Sequence, residues 1–413
     1  MPPVVQGARL VEGSPRYAGF VHAGRPVYSL SIHADYRCAH SGVCCASDWD
    51  VPVELPVFRT LDEALKAGNL VPAAAGTDGE GPLITGDDLP DDAAAMLART
   101  PEGDCVFYHR HSGLCVVHRD GGEAQLPATC RHFPRVAVQD ARGTFISLTH
   151  FCPTAAAMLF REDVPLAIVS SPPAFPPGNY DGLTVDDDAW PPLLHPRMLM
   201  DLAGYSAWEQ HMVERCASAA SPEAAIATLQ RDARILRAFV PGAGTLVEAI
   251  AALPRDIVPA AGHTTLAASL RMREPVIGAV PEDLTPQPDE DRLEESFAAF
   301  VVPSWGDWPR PLNRYLAAKA FANWTAHQGR GILAIVRGLD AALALVRVEA
   351  ARQCRNADRP LDADLLKEAI RSADFLLNHL AVGEDLAAAW SAVEESGVRS
   401  QELRVVVSGF SRT

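Results

Sequence analysis

Apolar positions recur every three to four residues through the second half of the chain and alternate in short runs through the first. The helical period predicts helices over 197–217, 222–239, 243–253, 310–354, 361–381 and 384–396, the long one breaking near Gly329 and Gly331. Ser221 before Pro222 suits a helix start, where a hydroxyl caps and a missing N–H costs little. The turn 240–245 reads as a helix–helix connection, because no strand precedes its glycines.

The first half predicts shorter elements. Residues 27–32 are extended, 48–53 lead out as a strand and 55–67 form a short helix. Residues 105–109 and 114–118 alternate like the arms of a hairpin, with Arg110-His111-Ser112-Gly113 as its turn. A second hairpin is expected from 136–138 and 144–148 around 140–143. Residues 68–92 are rich in Gly, Pro and Asp and read as exposed loop, and 93–99 as one or two helical turns. A helical turn over 126–132 closes at Pro134, and Cys152-Pro153 opens a helix over 154–160. Residues 254–292 read as a linker or lid, and Trp305, Trp308 and Trp324 as anchors of a helical core.

This pattern predicts an α+β chain in three parts. Residues 1–160 form a small cysteine-rich domain with short hairpins, 161–196 a Pro-rich connector and 197–413 a mostly α-helical domain.

The cysteines are segregated in the same way. Seven of nine fall in the first part: Cys38, Cys44, Cys45, Cys105, Cys115, Cys130 and Cys152. Cys216 and Cys354 stand alone among the helices. A disulfide framework prefers an even count and an oxidising compartment. Here the count is odd, and residues 1–17 show no apolar core after a basic start. A chain of 413 residues with 48% apolar content builds cores without disulfide staples. No uncharged apolar run approaches the roughly 18 residues of a membrane span; the most apolar stretch, 331–348, is broken by Arg337, Asp340 and Arg347. The expectation is a cytoplasmic protein in a reducing compartment, where clustered thiols signal metal or redox chemistry.

Charge narrows the partners. A net charge of −16 does not suit nucleic acid, whose phosphates need cationic side chains, nor an anionic membrane surface. Only three lysines, Lys66, Lys319 and Lys367, accompany 33 arginines, which reads as compositional bias.

Thiolates are soft ligands for zinc, copper(I) and iron–sulfur clusters. Four satisfy tetrahedral zinc, and four also satisfy a [4Fe–4S] cluster. Cys-Pro ends ferredoxin-type motifs too, which puts iron–sulfur ahead of zinc. Seven exceed one mononuclear site. Cys44 and Cys45 would face opposite ways in an extended chain, leaving one for a given metal. His40, His111, His118, His132 and His150 lie close by as ligands or hydrogen-bonding supports.

The set as a whole resembles the cysteine-cluster family of zinc- or iron-chelating proteins, the CxxCxxCC type. Its elements stand here as Cys38 to Cys45, Cys105-Val106-Phe107, Gly113-Leu114-Cys115-Val116-Val117, Cys130 to Pro134 and Cys152-Pro153. The second cysteine of the CxxCGxCC form is replaced by Ser41. Within residues 36–160 the sequence is similar to flagellin lysine N-methylases, through Cys44 to Val51, Gly121 to Arg135 and Ile146 to Ala156. That resemblance implies an iron–sulfur cluster, S-adenosylmethionine as cofactor and a protein partner with an exposed lysine. Arg131 and Arg135 would then hold the carboxylate of the methyl donor. Residues 200–413 share with those proteins only a helical tendency.

Three readings follow: a protein-lysine methyltransferase, a non-catalytic zinc- or iron-chelating module, and a redox or interaction protein whose helices dock a partner.

Overall fold

The strand Val27–Leu30 pairs in parallel with Gly143–Leu148 and antiparallel with Ile168–Ser170. Gly143–Leu148 pairs with Arg135–Asp140 in the predicted hairpin, and Gly182–Thr184 adds in parallel beyond it. The result is a five-stranded mixed sheet in a fold of both α and β elements. This computed structural model describes residues 25–391, apart from 48, 80, 88, 91, 179, 181, 186–190, 261–264 and 287–290. The strands Ile168–Ser170 and Gly182–Thr184 lie in the stretch read from sequence as a connector.

The sheet divides two cores by the two-residue period of its strands. The cross-strand pair Val138 and Phe145 packs with the helical half. The next pair, Ala137 and Ile146, packs on the other face with Tyr36, Cys152 and Phe175.

A third core lies under a three-stranded sheet in the order Pro52–Glu54, Ala93–Leu97, Leu83–Ile84. The helix Leu55–Lys66 contributes Leu61 to it, beside Val53, Leu97, Val106 and Phe107. Here two expectations fail. Ala93–Leu97 is the central strand, not helical turns, because pairing on both edges overrides alanine's helix preference. The first hairpin is only Tyr108–His109 with Leu114–Cys115, and Val116–Gly121 turns into a helix that buries Val116 and Val117.

In the helical half, Ile332–Ala357 runs through the centre and is buried on nearly all sides. Around it stand Leu202–Ser218, Pro222–Leu236, Pro309–Ala320 and Ala363–Phe375. Their starts follow the sequence. Asp201, Ser221 and Asp362 each accept a backbone N–H from the first turn, and Thr245 with Glu248 forms a reciprocal capping box. The stretch read as a linker or lid instead holds the helix Leu266–Gly278, whose Leu266, Ser269 and Val276 are buried. Residues 383–391 are helical, and the rest of the last predicted helix lies outside the described residues. Among the described residues no helix is long and apolar enough to cross a membrane.

The halves are clamped by charge. Arg142, in the tight turn of the long hairpin, pairs with Asp140 at 2.7 Å and with Glu209 of the helical half at 3.0 Å. Its guanidinium stacks 4.2 Å from the Phe145 ring centre and 4.5 Å from that of Tyr205.

Candidate functional site

Gly42 turns the chain at φ 74° and Val43–Cys45 follows as a single 3-10 turn. A side chain at 42 would collide with the ring of Tyr108, so both the left-handed φ and the close approach demand glycine. In such a turn successive residues are rotated by about 120°, not 180°. Cys44 and Cys45 therefore both face one cavity, with their Sγ atoms 3.9 Å apart. The chain is thus not extended here, which was the premise of the expectation that only one of them serves a given metal.

The other thiols reach the same space from separate elements. Cys105 is pinned by its N–H to the Cys45 carbonyl at 2.7 Å. Cys115 ends the short hairpin, Cys130 sits in the helix Ala128–His132, and Cys152 precedes the helix Pro153–Met158. Cys38 enters from the exposed side. All seven line a single cavity of about 350 Å³. Cys216 and Cys354 are buried in the helical core. Among the described residues, no three Cys, His, Asp or Glu side chains stand arranged around one ion. The sulfurs border a space larger than one ion.

The thiols differ in protonation. Cys45 is held in its thiol form by hydrogen bonds to Cys115 and Cys44. Those bonds lower Cys115 to about 7 and Cys44 below its ordinary value. Burial lifts Cys105 to about 11 and Cys130 well above the usual thiol range. An electropositive wall faces them. Arg99 donates to the Cys45 and Trp49 carbonyls, and Arg131 and Arg135 line the same cavity. Arg135 donates to the Arg131 carbonyl at 2.7 Å and lies over the rings of Tyr36 and Phe175 at 5.9 and 5.7 Å. Its Nε is buried without a hydrogen-bond partner. The donor set thus suits a group that takes several thiolates and whose negative charge is answered by guanidinium.

The five histidines separate. His40 and His118 line the thiol cavity with ring centres 4.8 Å apart. His111 is exposed on the hairpin turn. His132 faces a second cavity, and His150 is fully buried against Asp374 and His33.

The second cavity, about 540 Å³, lies between the two halves and shares Phe133 and Arg135 with the first. Trp49, Phe133 and His379 form part of its wall, with ring centres 5.2 to 6.3 Å apart. Trp324 also lines it and is 41% exposed, so it is no core anchor. His379 comes from a π turn, Leu376–Leu380, a rare form found often at functional sites.

Sequence reasoning missed Tyr36, whose hydroxyl lies 3.8 Å from the Cys152 Sγ and whose ionisation burial suppresses. It also missed the Lys319, Asp374 and His379 group. The rarity of lysine in this chain was the signal available for Lys319.

No protein-family model matches the chain, and no curated protein or solved structure matches it either. Function therefore rests on the site itself.

Proposed function

We propose that this chain is a cytoplasmic, metal-binding cysteine-cluster protein. It holds an iron–sulfur cluster, more readily than zinc, in a small cysteine-rich domain, and it transfers methyl from S-adenosylmethionine to lysine on a protein partner. The observation that carries the first part is the convergence of seven cysteines from four sequence segments on one cavity. A cluster is favoured over a lone zinc ion by the number of thiols, which exceeds the four of a tetrahedral zinc site. A cluster spreads its thiolates over several metal atoms and so needs no single meeting point. The ligands come from the seven cysteines that line the cavity, with Cys45 hydrogen-bonded to Cys44 and Cys115. When bound, such a cluster supplies electron transfer or Lewis acidity beside the methyl donor.

Methyl transfer rests on the resemblance of residues 36–160 and on Arg135. Its guanidinium, in the wall of the thiol cavity, is the group that would take the carboxylate of an amino-acid-derived donor. In the transfer, the lone pair of a neutral lysine amine forms the new N–C bond. The C–S bond breaks, its pair returns to sulfur as a thioether, and the amine releases one proton. A water-poor cavity between the halves favours the neutral amine.

The test is anaerobic incubation of the purified chain with methyl-labelled S-adenosylmethionine and lysate of its host. Label on protein lysine is expected. Bound metal without label and without measurable cofactor binding would leave a chelating module.

A further inference from the structure

The hydroxyl of Tyr36 reaches sulfur. It lies 3.8 Å from the Cys152 Sγ, and among the described residues no nitrogen or oxygen shares it. The residue is held in place from several directions. Its N–H donates to the His33 carbonyl at 3.0 Å. Its ring packs with Ala137, Ile146 and Phe175, under the Arg135 guanidinium 5.9 Å from the ring centre. Cys38 feels the same hydroxyl: burial lifts its thiol, and the His40 N–H and Tyr36 work against that rise. Tyr36 is 5% exposed and Cys152 3%, so little water competes for the contact between them.

Packing alone does not ask for this hydroxyl. Phenylalanine would fill the same space, and a buried O–H without a good partner costs free energy. A neutral thiol is only a weak acceptor. A thiolate on a metal is a better one, because it carries negative charge and has no proton of its own. While Cys152 is a thiol, either atom of the contact could donate. Once it is a thiolate, only the tyrosine can, and a phenol keeps its proton at neutral pH to do so.

We infer that Tyr36 is a positioning residue of the metal site: its hydroxyl donates to the Cys152 thiolate and raises the reduction potential of the cluster that this thiolate helps to hold. Reduction adds one negative charge, part of which falls on the sulfurs. A donor fixed beside one sulfur therefore stabilises the reduced form more than the oxidised form, and hydrogen bonds to sulfur are among the features that set such potentials. The low dielectric around a buried contact strengthens the effect. No bond to the tyrosine forms or breaks, its proton stays on oxygen, and the electron comes from the added reductant. The inference rests on the iron–sulfur reading and takes Cys152 as one of the ligands.

The experiment is a mediated dithionite titration of the full chain, purified anaerobically, for the parent, Tyr36→Phe and Tyr180→Phe, with iron and acid-labile sulfide measured on each. Tyr36→Phe keeps the ring and should keep iron and sulfide. Its potential should fall, so that at the parent's midpoint the ratio of reduced to oxidised protein drops several-fold. Tyr180 packs against the same core but gives its hydroxyl to the Pro176 carbonyl, and its variant should match the parent. A parental potential in Tyr36→Phe, or the same fall in Tyr180→Phe, would overturn the inference and leave the cluster standing. Loss of the cluster from Tyr36→Phe would overturn it too, by making the hydroxyl part of the scaffold. A parent without a reducible cluster removes the iron–sulfur reading itself, and this inference with it.

Discussion

Lys319 sets its ammonium 2.5 Å from the Asp374 carboxylate, whose other oxygen accepts the His150 backbone N–H at 2.5 Å. Tyr315 donates its hydroxyl to the same carboxylate at 2.9 Å. One buried side chain thus joins two helices to the segment that carries Cys152. Burial pushes the Asp374 carboxyl up, but the Lys319 ammonium and His150 outweigh it and hold the group well below the carboxylate range. Asp374→Asn strands a buried ammonium and should cost about 3–5 kcal/mol in urea denaturation.

Asp374 and His379 act in separate pH windows. The folded Asp374 is depressed, so its contribution is present above the unfolded value, about 3.9, and is lost only as pH falls below it. His379 is lowered to about 4 by burial. Between its ordinary value of 6.5 and 4 the unfolded chain takes up a proton that the folded chain refuses. Stability should therefore drop from pH 6.5 to pH 4 through His379, before Asp374 contributes. Melting temperatures across that range should fall less steeply in His379→Gln than in the parent. Parallel curves would contradict the assignment.

Gly42 is the next test. Gly42→Ala forces a side chain into a left-handed φ and into the Tyr108 ring. The turn that aims Cys44 and Cys45 should distort, at a cost on the order of 1–3 kcal/mol. Metal content should fall together with stability. Full metal content in a destabilised variant would show that the turn does not position ligands.

Arg142 tests the clamp between the halves. Its side chain is 9% exposed and pairs with Asp140 and Glu209. Arg142→Ala leaves two buried carboxylates facing each other and should cost about 3–5 kcal/mol by chemical denaturation. A loss within about 1 kcal/mol would mean that solvent already reaches the pair.

Much of the local structure was legible because local signals governed it. The hairpin of Arg135–Asp140 with Gly143–Leu148 was read from the sequence, and the helix start at Ser221 from its cap. The failures have a common cause in long-range contact. Ala93–Leu97 is a strand because two others flank it, which no window of its own sequence reveals. Leu266–Gly278 was obscured by the Pro, Gly and acidic residues around it, although Leu266 and Val276 pack into the main core. At the site, the seven cysteines were named in advance from their segregation. The direction of Cys44 was not, because it depends on Gly42 fitting under Tyr108. Asp374 and His379 come from helices more than 220 residues beyond Thr149 and carried no motif.

The central claim is that the thiol-lined cavity holds metal. The most direct measurement is the metal and acid-labile sulfide content of anaerobically purified protein, with its absorption spectrum, for the parent and four single variants. The account predicts iron with sulfide and a broad band near roughly 400 nm in the parent. Cys130→Ser should lose most of the metal and part of its folding stability, and Cys152→Ser should lower both, since metal-binding energy is folding energy at such a site. Cys216→Ser and Cys354→Ser, in the helical core, should keep parental metal content. A parent without bound metal, or equal loss in all four variants, would contradict it.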